Sequence, residues 1–158
     1  MLRAQEGGLR VALAPLVLIA MSAVYSLGAY PFGKLADTMP HRTLLAAGLA
    51  VLIAADAALA AGNHGPLLWA GVALWGLHMA LTQGLLATMV AETSPPALRG
   101  TAFGLFNLAS GLAMLVASGL AGWMWDRFGG TSTFVTGAAI SVVALGVLLW
   151  RAPRTDPA

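Results

Sequence analysis

The sequence predicts an all-α, polytopic membrane protein, a bundle of about five transmembrane helices with almost nothing left over for an aqueous domain. Three observations carry this. Of 158 residues, 59% are hydrophobic and only 9% charged, whereas soluble domains carry about 25% charged residues. The mean hydropathy is +0.83. The charges also fall between apolar runs, and five such runs of roughly 20 residues are long enough to cross a bilayer as helices.

Residues 1–10 are polar, with Arg3, Glu6 and Arg10. The apolar run that follows is too long for a signal-peptide core, and no cleavage site precedes the next loop. The first span is expected at 11–32. Pro15 falls in its first turns, where a missing N–H costs little, and Pro31 is expected to help end it. Tyr25, Tyr30 and Phe32 gather at its far end, where rings settle at headgroup level.

The second span is expected at 43–61 and stops at the breakers Gly62-Asn63-His64-Gly65-Pro66. The third, 67–90, is closed by Glu92-Thr93-Ser94-Pro95-Pro96. The fourth, 100–125, runs into a turn at Asp126-Arg127-Phe128-Gly129-Gly130, and the fifth, 133–150, leads to a tail with Arg151, Arg154 and Asp156. Trp123, Trp125 and Trp150 lie at span ends and read as interface anchors. The whole chain, 1–158, forms one membrane domain.

Five spans put the ends on opposite sides. Lys34, Arg42, Arg99, Arg151 and Arg154 share one side, against Arg3, Arg10 and Arg127 on the other. Basic residues concentrate in cytoplasmic loops, so the first side, with the C-terminus, is expected in the cytoplasm.

The pI near 9.7 reports this orientation. The eight Lys and Arg residues are spread over separate segments and form no basic patch, so no nucleic-acid partner is expected. With no Cys there is no disulfide framework and no thiolate chemistry. His41, His64 and His78 lie on different segments, so no metal site and no cofactor is expected. No Gly-x-Ser-x-Gly elbow or phosphate-binding loop occurs, and one intramembrane Asp makes no aspartyl dyad. An enzyme is not expected.

The densest charge lies in Gly33-Lys34-Leu35-Ala36-Asp37-Thr38-Met39-Pro40-His41-Arg42, between the first two spans. Gly33, Leu35, Ala36, Asp37 and Arg42 match a pattern that resembles the loop joining the second and third helices of each half of a major facilitator superfamily transporter. Thr38, Pro40 and His41 depart from it. Two further phrases, Arg99-Gly100-Thr101-Ala102-Phe103-Gly104 and Gly122-Trp123-Met124-Trp125-Asp126-Arg127-Phe128-Gly129, resemble the eleventh helix of many bacterial members.

The resemblance covers essentially the whole chain. It implies the C-terminal half of such a transporter without its first helix, corresponding to helices eight to twelve. It also implies secondary active transport of a small molecule, with residence in a bacterial cytoplasmic (inner) membrane. The partners it implies are the lipid bilayer, an unidentified solute, and either the missing N-terminal half or further copies of the chain. A non-transporting fragment is the alternative.

In the family, the matched loop latches the two halves, so Gly33, Asp37 and Arg42 are candidate gating residues. Gly33 would let two helices approach closely, Asp37 would face a helix N-terminus, and Arg42 would meet lipid phosphate or a loop carboxylate. The other reading is an ordinary cytoplasmic turn. In the third span, Trp75, His78, Met79 and Thr82 share a face, with Gln83 beside them. The family's tenth helix lines the central cavity, which makes Trp75, His78, Thr82 and Gln83 candidates for solute contact. Alternatively, His78 and Thr82 join neighbouring helices.

Asp56 is the one acidic residue well inside a span. An unpaired carboxylate there costs about 2.5–3.5 kcal/mol on insertion scales. It is either a possible proton-coupling group or an interfacial, snorkelling or capping Asp. Gly100, Gly104, Gly111, Ser118 and Gly122 form small-residue spacings in the fourth span and are expected to pack helix on helix, because lipid supplies no hydrophobic drive between helices.

Overall fold

The computed structural model describes residues 2–6, 8, 11–62 and 64–150. Arg10, Asn63 and the tail residues Arg151, Arg154 and Asp156 lie outside the described residues. Among those described, every regular element is helical. A short helix α1 (Leu2–Glu6) and a 3-10 turn (Val11–Leu13) lead into α2 (Ala14–Ala36), α3 (His41–Ala61) and α4 (Gly65–Thr93). A second 3-10 turn, Pro96–Leu98, opens α5 (Arg99–Trp150).

Among the described residues, four helices are long and apolar enough to cross a membrane. The last is two limbs in one. α5 runs for 52 residues, and a straight helix of that length would reach about 78 Å, against a hydrocarbon core of about 30 Å. Gly129 breaks it with φ 80° and ψ 173°, a conformation that essentially only glycine adopts. Ser132 Oγ donates to the Gly129 carbonyl at 2.7 Å and Thr133 Oγ1 to the same carbonyl at 3.3 Å, so hydroxyls in the first turn of the restarting helix bond back to the break. The chain therefore bends within α5, and the five-residue turn expected at 126–130 is a single-residue break at Gly129.

Pro31 also departs from expectation. It lies inside α2 rather than ending it, and the helix continues through Gly33 and Lys34 to Ala36. Only residues 37–40 remain as the connection. It closes through Thr38 and Met39 N–H bonds to the Leu35 carbonyl, and Pro40 supplies the first carbonyl acceptor of α3. Prolines stand in the same way at the openings of α2, α4 and the second 3-10 turn, where their missing N–H has no intrahelical acceptor to lose.

Close approaches fix the packing. A Cβ at Gly76 would lie 2.5 Å from the Met21 carbonyl oxygen, and one at Gly28 2.9 Å from Ala80 Cβ. Residue numbers therefore rise together along α2 and α4, which run parallel. α3 runs antiparallel to α4, with Leu59 against Gly71 at one end and His41 near Glu92 at the other. The second limb of α5 (130–150) runs antiparallel to α3, from Gly137 beside Asp56 to the Leu148 and Leu149 carbonyls beside Arg42. The packing order is α2, α4, α3, second limb.

Two apolar cores follow. One joins Val17, Leu59, Leu68 and Val72 beneath Ala4, and the other joins Leu44, Leu81 and Leu85. The first limb of α5 contributes no buried residue. Leu105, Met114 and Leu115 on it are each about two-thirds exposed. Apolar exposure on this scale belongs in lipid or against other helices, not in water.

Candidate functional site

The polar groups that the sequence places inside the spans meet at the seam of α3, α4 and the second limb of α5. Asp56 is buried, and the Trp75 indole Nε1–H donates to its Oδ1 at 3.2 Å. Its Oδ2 faces Gly137, where a Cβ would come within 2.8 Å, so the glycine makes room for the carboxylate. The Trp75 ring meets His78 edge to face, with centroids 6.5 Å apart. His78 Nδ1 lies 2.8 Å from the Gly48 carbonyl oxygen, an arrangement that requires Nδ1 to carry the proton and donate.

Thr82 Oγ1 donates back to the His78 carbonyl at 2.8 Å, and a side chain at Gly48 would strike the Thr82 methyl. Trp75, His78 and Thr82 thus look toward α3. Among the described residues, no buried side-chain nitrogen or oxygen lacks a hydrogen-bond partner, as the absence of water in a bilayer core demands. Gln83 is exposed and stands apart from this cluster.

Trp75 also has a second side. It lines an apolar cavity of about 280 Å³ with Arg3, Val17, Met21, Val72 and Phe134, and is 36% exposed although Val72, Gly76 and Ala80 around it are buried. A smaller cleft of about 140 Å³ lies between α2 and α4, where Tyr25, Phe32, Asp37, Leu81 and Thr88 are among the lining residues.

The candidate gating residues occupy the end of the bundle that holds the C-termini of α2, α4 and α5. Arg42 donates to the Leu149 carbonyl at 2.7 Å and to the Leu148 carbonyl, capping the last helix. A cation at a helix C-terminus is favoured both by the free carbonyls and by the dipole. Beside it, His41 Nδ1 lies 3.5 Å from Glu92 Oε2. Asp37 is exposed, at the C-terminal end of α2, and a Cβ at Gly33 would meet open space. Within this chain the close approaches of α2 fall at Gly28 and Gly76 instead, because Gly33 faces outward.

The stripe in the fourth span lies equally open. At Gly100, Gly104, Gly111 and Gly122 a Cβ would find nothing within 4 Å, and Ser118 is exposed.

Sequence reasoning missed several residues of this architecture. Gly48 and Gly137 receive His78 and Asp56. Gly48 has Leu44 and Leu52 four residues to either side and so no small-xxx-small pair, whereas the Gly137-x-x-x-Ser141 spacing is a signal that could have marked Gly137. Arg3 was seen only as a topology charge. It donates to the Leu59 carbonyl at 2.8 Å and the Ala60 carbonyl at 3.0 Å, so it caps α3, and it also reaches Glu6 at 2.9 Å and Thr131 Oγ1 at 2.9 Å.

Long apolar helices, polar groups paired inside the seam and arginine caps at both ends define an integral, multi-pass membrane protein. Comparison with known proteins gives the family. The chain matches the Major Facilitator Superfamily over residues 3–158 and belongs to it. It is 31% identical over 131 residues to an uncharacterized MFS-type transporter of Methanocaldococcus jannaschii, covering 83% of this chain and 32% of that protein.

It is also 31% identical over 147 residues to the probable galactarate/D-glucarate transporter GudP of Bacillus subtilis, covering 89% of this chain and 32% of the relative. The inner membrane transport protein YajR of Escherichia coli matches at 31% over 77 residues, 49% of this chain and 17% of YajR. The chain thus spans no more than about a third of the length of these relatives. No solved structure matches significantly.

Proposed function

We propose that this chain serves secondary active transport of a small organic solute, working with helices beyond its own. The observation that carries the reading is the open first limb of α5 in a chain of a transporter family. An apolar limb long enough to cross a bilayer, whose glycine stripe meets nothing among the described residues, is suited to packing against further helices, whether of the same protein or of a second copy. Rocking of such a unit against another around a midplane site is the mechanism the family fold supports.

In this reading Asp37 and Arg42 belong to a latch at the cytoplasmic end, and the protein resides in a bacterial inner membrane with its C-terminus inside. Trp75 is the strongest candidate for solute contact, because it borders the apolar cavity. Asp56 and His78 serve first to hold it. The sugar diacid named for the Bacillus relative suits this chain poorly. A dicarboxylate calls for cationic partners. Lys34, Arg42, Arg99 and Arg127 stand near span ends, and Arg3, which lines the cavity, is already bonded to Glu6, Thr131 and the Leu59 and Ala60 carbonyls.

Reconstitution tests the proposal. Proteoliposomes carrying the 158-residue chain alone are expected to show no saturable uptake, and a full-length relative carrying this segment is expected to show it. Saturable transport by the chain alone would overturn the need for further helices. If Trp75→Ala with His78→Ala, made at the equivalent positions of a full-length relative, leaves its transport kinetics unchanged, the solute-contact face is wrong.

A further inference from the structure

Trp75 borders a half-open apolar cleft walled by several helices, and we infer that this cleft binds a neutral, planar aromatic solute of about two fused rings. Its walls come from four elements of the bundle plus α1: Val17 and Met21 of α2, Leu59 of α3, Val72 and Trp75 of α4, and Phe134 of the second limb of α5. Both rings facing it are held from behind. Trp75 is tethered through its indole N–H to Asp56 and braced by His78, while Phe134 packs edge to face on Trp125 with centroids 6.3 Å apart. Aromatic surfaces fixed before the ligand arrives cut the ordering cost of binding.

Charge and size select the ligand. The one charged lining residue is Arg3, and it makes four hydrogen bonds, one of them an ion pair with Glu6 at 2.9 Å. It is therefore spent on capping α3 and on Glu6 and Thr131, and offers little to an anion. The volume of about 280 Å³ is nearly twice the roughly 150 Å³ in which an apolar cavity holds benzene. Offset or edge-to-face stacking on Trp75 and Phe134 adds to the burial of the solute. Asp56 acts as a positioning residue that sets the indole plane. As a transported substrate the solute rests on the transporter reading above, but as a bound one it does not.

The test uses the 158-residue chain in phosphatidylcholine nanodiscs with 2-fluoronaphthalene as probe, read by fluorine NMR against protein-free discs. A saturable component above linear lipid partition is expected. Trp75→Ala and the cavity-filling Val17→Phe should each weaken it about tenfold or more. Asp56→Asn, which keeps a carbonyl for the indole N–H, should bind within about threefold of the parent, whereas Asp56→Leu should lose about tenfold.

Circular dichroism of each variant identifies any that fails to fold, and the Asp56→Asn and Asp56→Leu pair then decides by itself. Partition with no saturable component overturns the inference. So does a signal that Val17→Phe leaves intact, or a lipid acyl chain retained in native mass spectrometry that the probe does not displace. Absence of transport by the chain leaves the binding result standing, and absence of binding leaves the transporter reading standing.

Discussion

Gly76→Ala is the sharpest perturbation of this bundle. The new Cβ would stand 2.5 Å from the Met21 carbonyl oxygen, 3.3 Å from its carbon and 3.1 Å from Val24 Cβ. The obstruction is mostly backbone, so no rotamer relieves it. Ordinary contact begins near 3.4 Å, and α2 must therefore back away from α4 by about 0.9 Å. That movement loosens Val17 from Val72 at one end and Gly28 from Ala80 at the other.

Overpacking of this kind costs about 1–3 kcal/mol, and replacing a helical glycine by alanine returns about 1 kcal/mol. Because the blocking atoms cannot give, the net loss is expected at about 1–2 kcal/mol. Gly111→Ala provides the internal control, since open space surrounds it and only the propensity gain remains. Thermal unfolding of the purified chain in one detergent, followed by circular dichroism, should rank Gly76→Ala below the parent and Gly111→Ala at or above it. Equal midpoints for the two variants would refute the parallel α2–α4 contact.

The remaining predictions concern the ends, the break and the seam. Gly129→Ala forces alanine into a glycine-only conformation and should cost about 1–3 kcal/mol, read as a lower unfolding midpoint. Arg42→Ala removes the cap on the last helix and should cost about 1–2 kcal/mol, with faster amide exchange over the final turns before Trp150. Faster exchange confined to other helices would contradict the assignment. His78→Ala breaks the bond to the Gly48 carbonyl and should cost about 0.6–1.7 kcal/mol, whereas Gln83→Ala, on an exposed face, should be silent. With Thr38→Cys, labelling by an impermeant maleimide is expected only from the cytoplasmic side, and labelling from outside would reverse the proposed orientation.

The all-helical class, the order of the apolar helices and the polar connections were legible in the sequence because in a bilayer they answer to composition and length. A bilayer admits only helices and closed barrels, and apolar runs this long and unalternating satisfy their backbone as helices. Details set by one residue's dihedrals were not. Pro31 reads as a terminator, yet α2 runs five residues past it, since a proline removes only its own N–H bond and neighbours of α2 hold the rest. Asp126 to Gly130 reads as a turn of five, yet φ at Gly129 alone redirects the chain and the helix continues on both sides.

The seam was half legible for a related reason. Asp56, Trp75, His78 and Thr82 announce themselves as polar or aromatic groups within apolar runs, and their spacing puts the last three on one face of α4. What they face depends on how three helices are rotated about their axes, and helices this uniformly apolar carry no amphipathic stripe to fix that rotation. The rotation is set instead by where backbone can come close, at Gly48, Gly71, Gly76 and Gly137. The glycines with the most conspicuous spacing, Gly100, Gly104 and Gly111, meet nothing inside this chain, while these four scattered ones decide that Asp56 meets Trp75. Periodicity finds a stripe that has a regular partner, and the partner of that stripe is not among the described helices. A close approach at a single residue leaves no periodic trace, so it is visible only once the neighbouring helix is in place.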